Sequence, residues 1–276
     1  MLSEIENNPA SFLSYLFEAM LFYYLKKTEN INLISKDEGP DFKVNNLIEK
    51  DIHIEAIAPL PGNNPNWDYE ISPGVLSFNK EGIIPKNHIR EAWTSAFLAK
   101  SKKFKSYKSK KTISKDAICI IAISPIKFKE PGRDNFILND NENQLPYCAE
   151  ALYGITRIQN SSTNQVHTKI SDGFRKHKTS NPKKPIPEVP PLINTGQFHP
   201  KQNKNIINTD ISAVILQDLR SGIGKPKYWI IHNYNANNKL PVKCINSDYE
   251  VILKEKKEGG FSILNIMTGL EFLGSG

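Results

Sequence analysis

Cysteine is scarce in this chain. Cys119, Cys148 and Cys244 are the only three, and their wide spacing forms neither a CxxC pair nor a Cys/His ligand pattern. That excludes a disulfide framework and a zinc site of ordinary spacing, and it fits a reducing cytoplasm. A membrane-length apolar run is missing too. The stretch from Phe12 to Leu25 contains Glu18 and falls short of the roughly 20 residues that span a bilayer. No basic region precedes it, and Glu4, Glu6 and Pro9 stand before it, so neither a signal peptide nor a membrane partner is expected. The chain also lacks a Gly-rich phosphate loop, a dinucleotide fingerprint and a Gly-x-Ser-x-Gly elbow, which removes the common nucleotide-binding and serine-hydrolase classes.

What is abundant is lysine. Over 276 residues the formal net charge is +7, and the excess is concentrated. Lys100, Lys102, Lys103, Lys105, Lys108, Lys110 and Lys111 follow one another with no acid among them. Such a run favours a polyanionic partner, although a lysine run is also the ordinary composition of a solvated surface. Hydrophobic residues make up 39% of the chain, enough for a sizeable core. With no internal repeat and no sign of an independent second unit, residues 1–276 read as one domain. Its core covers about 9–158, a Pro- and Lys-rich loop about 160–207, and additional strands about 208–270.

Hydrophobic patterning sets out the elements. Residues 9–27 open on Pro9, carry apolar residues on almost every face and close on Lys26 and Lys27, which predicts a core helix buried on most sides. Residues 31–58 predict a β-hairpin, and Tyr69 to Phe78 a further strand after the turn at Pro59 to Pro65. Pro85 opens a helix to about Tyr107. Asp116 to Ser124 holds a continuous apolar run, the pattern of a strand covered on both faces. A short helix is expected over Ala149 to Ile155. Strands follow at Ile211 to Leu216, Tyr228 to His232, Tyr249 to Lys254 and Phe261 to Ile266.

The chemistry lies in the hairpin. Gly39-Pro40 forces a turn or extended geometry immediately before Asp41, and from Ile52 the residues alternate. Ile52, Ile54, Ala56 and Ala58 share one face, with Asp51, His53, Glu55 and Ile57 on the other. Glu55 is thereby directed away from that apolar layer, and Asp41 can approach it across the hairpin. Two convergent carboxylates suit a hard divalent cation such as Mg²⁺.

Pro40-Asp41, the spacer and Glu55 resemble the motif of the PD-(D/E)XK phosphodiesterase superfamily, the restriction-endonuclease-like fold. The order helix, acid-bearing hairpin, basic helix and apolar strand is similar as well. The resemblance covers roughly the first half of the chain. It implies an α/β protein with an αβββαβ core, a central mixed sheet flanked by helices and, here, extra C-terminal strands. It also implies Asp41 and Glu55 as ligands of Mg²⁺ or Mn²⁺, with a lysine two residues after the second acid assisting the attacking water. Ile57 occupies that last position.

A replacement is visible on the second helix, where Ile89, Trp93, Ala96, Phe97, Phe104 and Tyr107 form an apolar stripe with Lys100 inside it. Lys100 can reach over the core to the acids, as the superfamily's migrating lysine does. The plain alternative is that it snorkels from the stripe's edge, and Lys103, about one turn on, is its nearest competitor. Glu18 is the only charge in the first helix between Pro9 and Leu25. A lone buried carboxylate is costly unless paired or metal-bound, and branches of the superfamily place a first-helix Glu beside the metal, so Glu18 is the third acid. A partly exposed helix residue is the alternative. Asp51, Asp68 and Glu70 are substitute acids, Asp51 foremost. His53 shares Glu55's face and is either a substrate contact or structural. Arg90, Lys102, Lys103, Lys105 and Lys108 are candidate phosphate contacts, and the basic loop from Arg175 to Lys184 a second.

Together these expectations describe a Mg²⁺-dependent nuclease acting on DNA, with RNA as an open substrate and a homodimer compatible with it. The rival is a non-catalytic nucleic-acid-binding protein that keeps the fold, for which Ile57 is the direct argument.

Overall fold

A computed structural model describes residues 9–27, 32–34, 39–45, 48–59, 69–72, 75–78, 86–127, 152, 155–159, 166–170, 208–219, 224–255, 261–266 and 271–274. The chain is mixed α/β. Helix α1 (Pro9–Lys26) is followed by β1 (Asn32–Ile34), β2 (Phe42–Asn45) and β3 (Ile52–Ile57), and these three strands form an antiparallel meander. After β4 (Tyr69–Ser72) and β5 (Val75–Phe78) come α2 (Lys86–Ser109) and β6 (Ile118–Ile123). The later strands are β7 (Ile155–Gln159), β8 (Val166–Ile170), β9 (Ala213–Asp218), β10 (Lys227–His232), β11 (Tyr249–Glu255), β12 (Phe261–Asn265) and β13 (Glu271–Gly274).

Eleven strands join one mixed sheet in the order β1-β2-β3-β6-β9-β10-β11-β12-β13-β8-β7. At its centre β3, β6 and β9 run parallel, and β10 is antiparallel to β9. All six residues of β6 and all six of β9 are buried. A central parallel strand is covered on both faces, which is why its sequence is apolar throughout rather than alternating.

The two helices supply those covers. On α1, Leu13, Phe17, Leu21 and Leu25 recur every four residues and pack against Ile52, Ile54, Ile118, Ile120, Ile215 and Ile230. On the opposite face Trp93, Phe97 and Phe104 of α2 pack against Cys119, Ile121, Ile123, Val214, Leu216, Trp229 and Ile231. Phe17, Phe97 and Phe104 are among the largest fully buried side chains, each contributing about 1.5–3 kcal/mol through burial. Helix α2 ends in a defined cap. Lys111 takes a left-handed φ of 59°, its N–H bonds to the Lys108 carbonyl, and the Thr112 N–H bonds back to the Tyr107 carbonyl at 2.9 Å. That Schellman arrangement closes the last turn and fixes the helix end at which Tyr107 stands.

Several expectations change. Tyr69 to Phe78 adds no strand to the main sheet. It folds on itself as β4 and β5 in a separate two-stranded sheet, while β1 supplies the extra strand of the meander. The stretch 160–207, expected as loop, contains β8, which pairs with β7, and β7 begins at Ile155, where a helix was expected to end. Of that helix only Leu152 falls among the described residues before Ile155, and it is buried. Glu55 lies on the face of β3 opposite Ile52, Ile54 and Ala56, as the alternation has it, and that face is covered by α2, which leaves Glu55 without solvent exposure. Finally, α1 is not buried on most sides, since Phe12, Phe22 and Tyr23 are exposed. Among the described residues no helix is long and apolar enough to cross a membrane.

Candidate acid and lysine site

The antiparallel register of β2 and β3 builds the centre of the site. Phe42 is paired with Ile54, which sets Asp41, one residue before β2, opposite Glu55. Asp41 Oδ2 accepts the N–H of Ala56 at 2.7 Å, so the carboxylate is fixed by the backbone next to Glu55. Gly39 makes the approach feasible. Its φ of +120° belongs to a region that side chains rarely adopt, and a Cβ there would sit 3.5 Å from Thr112 Cγ2.

Helix α2 brings the counter-charge from the layer above. Lys100 Nζ lies 2.5 Å from Glu55 Oε2 and 3.3 Å from Asp41 Oδ2, so one ammonium touches both acids. Lys103 Nζ reaches Glu55 Oε2 at 3.4 Å from a half-exposed position. Two turns beyond Lys100 on the same helix face, the Tyr107 hydroxyl stands 2.9 Å from Glu55 Oε1 and 3.0 Å from the Gly39 carbonyl oxygen. The hydroxyl's single proton can be donated to either acceptor, so Tyr107 stands between the strand that carries Glu55 and the turn that presents Asp41. The sequence showed Tyr107 only as an apolar stripe residue. Its position seven residues after Lys100 was the signal that it shares the lysine's direction.

Electrostatics follow the packing. Burial pulls the Lys100 ammonium down, but Asp41 and then Glu55 outweigh it and leave its pKa above the ordinary lysine value, so Lys100 is charged at neutral pH. Glu18 on α1 is pushed above the ordinary carboxylate range, first by burial and then by the negative charge of Asp41, with Glu55 adding to the effect and Lys100 and Lys103 opposing it. Glu18 therefore lies within the field of the same four groups, although it sits on the helix that covers the other sheet face. The Tyr107 phenol is raised chiefly by burial and by its bond to Glu55, so it remains a proton donor.

The other candidates fall elsewhere. Asp51 is paired with Lys43 at 2.8 Å, away from the acid pair. His53 shares Glu55's face but is buried, with 3% exposure, and presents no surface to a large substrate. Lys102 is exposed, whereas Lys105 and Lys108 engage Asp210 at 3.9 and 3.6 Å. Ile57 is half-buried and packs against the core beneath α2. Asp68, the loop from Arg175 to Lys184 and the side chains of Glu70 and Arg90 lie outside the described residues.

Two hard oxygen donors that one cationic centre can touch together form a set suited to a small divalent cation. Lys100 Nζ, in contact with one oxygen of each acid, shows that the two carboxylates converge on a common centre. Among the described residues no three His, Cys, Asp or Glu side chains form a group that could hold a metal, so the set is the pair Asp41 and Glu55. Comparison with known proteins finds no matching family model, no matching curated protein and no matching solved structure.

Proposed function

We propose that the chain is a divalent-metal-dependent nuclease with a restriction-endonuclease-like core, acting on DNA. The observation that carries this reading is the meeting of Asp41, Glu55 and Lys100, drawn from a turn, a strand and a helix distant in sequence. Asp41 and Glu55 would hold Mg²⁺ or Mn²⁺, and the bound ion would polarise the phosphoryl oxygen and lower the pKa of a coordinated water.

The remaining steps belong to the protein's own groups. Lys100 stays protonated beside the acids and is placed to stabilise charge that develops on the phosphate in the transition state. The Tyr107 hydroxyl and the Ala56 N–H hold the two carboxylates in fixed orientation, which limits reorganisation during the reaction. Glu18, retaining its proton to a higher pH than an ordinary carboxylic acid, is an auxiliary group at the site's edge. Lys102, Lys103, Lys105 and Lys108 of α2 would be the phosphate contacts, Lys103 being also engaged by Glu55 and Lys105 and Lys108 by Asp210.

A second reading rests on Ile57. With an apolar residue at the motif's lysine position and the Lys100 ammonium already paired with an oxygen of each acid, the same geometry suits a nucleic-acid-binding protein without turnover. Incubation of the wild-type chain and Asp41→Ala with supercoiled and linear DNA in Mg²⁺, Mn²⁺ or EDTA separates the two. Metal-dependent cleavage lost in the variant is the expected result. Metal-independent binding by both proteins, with no cleavage, would establish the second reading.

A further inference from the structure

Helix α1 keeps three aromatic rings in solvent. Phe12 is 40% exposed, Phe22 37% and Tyr23 63%, although the opposite side of the helix is deep in the core. Two of these rings carry a lysine one turn further on. Lys26 Nζ stands 6.0 Å from the centre of the Phe22 ring, and Lys27 Nζ 4.5 Å from that of Tyr23. Two rings are thus followed, one turn on, by two ammonium groups on the same side of the helix.

Phe22 lies one turn after Glu18, the α1 residue that feels the charges of Asp41 and Glu55, and its ring meets that of Phe42, the residue after Asp41, with centroids 6.4 Å apart. The ring therefore flanks the turn that presents Asp41 from the α1 side of the sheet, opposite α2.

We propose that the exposed face of α1 is a stacking platform for unpaired bases, so that the substrate at the acid site is single-stranded nucleic acid or the unpaired end of a duplex; this rests on the nuclease reading above. In a duplex the π-faces of the bases are covered by their neighbours, and only an unpaired base can lay its face on an exposed ring. A ring for the base beside an ammonium for the phosphate is the arrangement that single strands require. The net charge of +7 favours a polyanion at this surface. A second copy of the chain would instead bring Lys26 and Lys27 against their own kind.

The test is binding of a labelled oligothymidylate and of a duplex of equal length by the full chain in EDTA, where no metal-dependent cleavage occurs. Tyr23→Ala and the double variant Phe22→Ala/Tyr23→Ala should weaken single-strand binding by about fivefold or more, the scale of one lost stacking contact. Duplex binding should be nearly unchanged, and Tyr23→Trp should retain single-strand affinity. Tyr23 is the most exposed of the three rings, so its replacement leaves the core intact. Equal losses for single strand and duplex, or no loss, would overturn the platform. So would a dimer, seen by sedimentation, that dissociates in the variants while oligothymidylate binding persists. Ring-dependent binding in EDTA without cleavage in Mg²⁺ would remove the nuclease reading and leave the platform. Cleavage in Mg²⁺ with ring-independent binding would do the reverse.

Discussion

Lys100 and Glu55, 45 residues apart in the chain, meet at 2.5 Å between Nζ and Oε2, where Glu55 has no solvent exposure. The ammonium also touches Asp41. On the proposed nuclease reading a divalent cation would need the same oxygens, so metal and lysine would compete for them. Lys100→Met should bind Mg²⁺ more tightly than wild type, roughly tenfold, equivalent to about 1.4 kcal/mol, and lose turnover while still binding DNA. Titration calorimetry reads the first and a cleavage assay the second. Unchanged metal affinity would separate the lysine from the metal position. If Lys103→Ala were the inactive variant instead, the catalytic role would belong to Lys103.

Glu55 differs from Asp41 in how much of the fold rests on it. Glu55→Ala would remove the closer partner of the buried Lys100 and leave it only Asp41, a loss bounded by the cost of a fully broken buried ion pair, about 3–5 kcal/mol. Asp41, partly exposed, should cost less. Both variants should lack cleavage, but urea unfolding should show a clear loss only for Glu55→Ala, with Glu55→Gln intermediate. Equal stability of the two alanine variants would contradict the burial argument.

Tyr107→Phe removes one hydroxyl and leaves the ring contact with Phe104. The lost bond to a charged carboxylate corresponds to about 1.5 kcal/mol, the lower end of the range for such bonds, because Tyr107 is only half-buried. Its distinguishing effect should be on metal affinity, since the hydroxyl that stands between Glu55 and the Gly39 turn would be gone. A stability loss with unaltered Mg²⁺ binding would confine Tyr107 to a structural role.

Lys127 offers a pH-dependent test of its own. Burial in the turn after β6 lowers its pKa below the ordinary lysine value of 10.5, so its charged form is less favoured in the folded chain than in the unfolded one. As pH rises through the folded-state value the folded chain releases that proton before the unfolded chain does, and stability increases toward pH 10.5. Wild-type stability should therefore rise toward pH 10.5, and Lys127→Met should lack that rise. An equal rise in the variant, read by urea unfolding, would trace it to another group.

Sequence alone determined what local periodicity encodes. Pro9, the apolar stretch behind it and the closing Lys26 and Lys27 marked α1, the unbroken apolar run marked β6 as a doubly covered strand, and Gly39-Pro40 with the alternation from Ile52 set Asp41 across from Glu55. Lys100 stood out because a lysine interrupted an apolar stripe. The tertiary structure decided what crosses layers. Alternation directs Glu55 to one face of β3, but only the packing of α2 makes that face dry, joins Lys100 and Tyr107 to the carboxylates and buries His53. It also decided that the other side of α1 stays open, leaving Phe22 and Tyr23 in water, and that Tyr69 to Phe78 pairs with itself. Periodicity records the direction of a side chain relative to its own element, and which element lies in that direction is fixed only when distant segments compete to cover the same apolar surface.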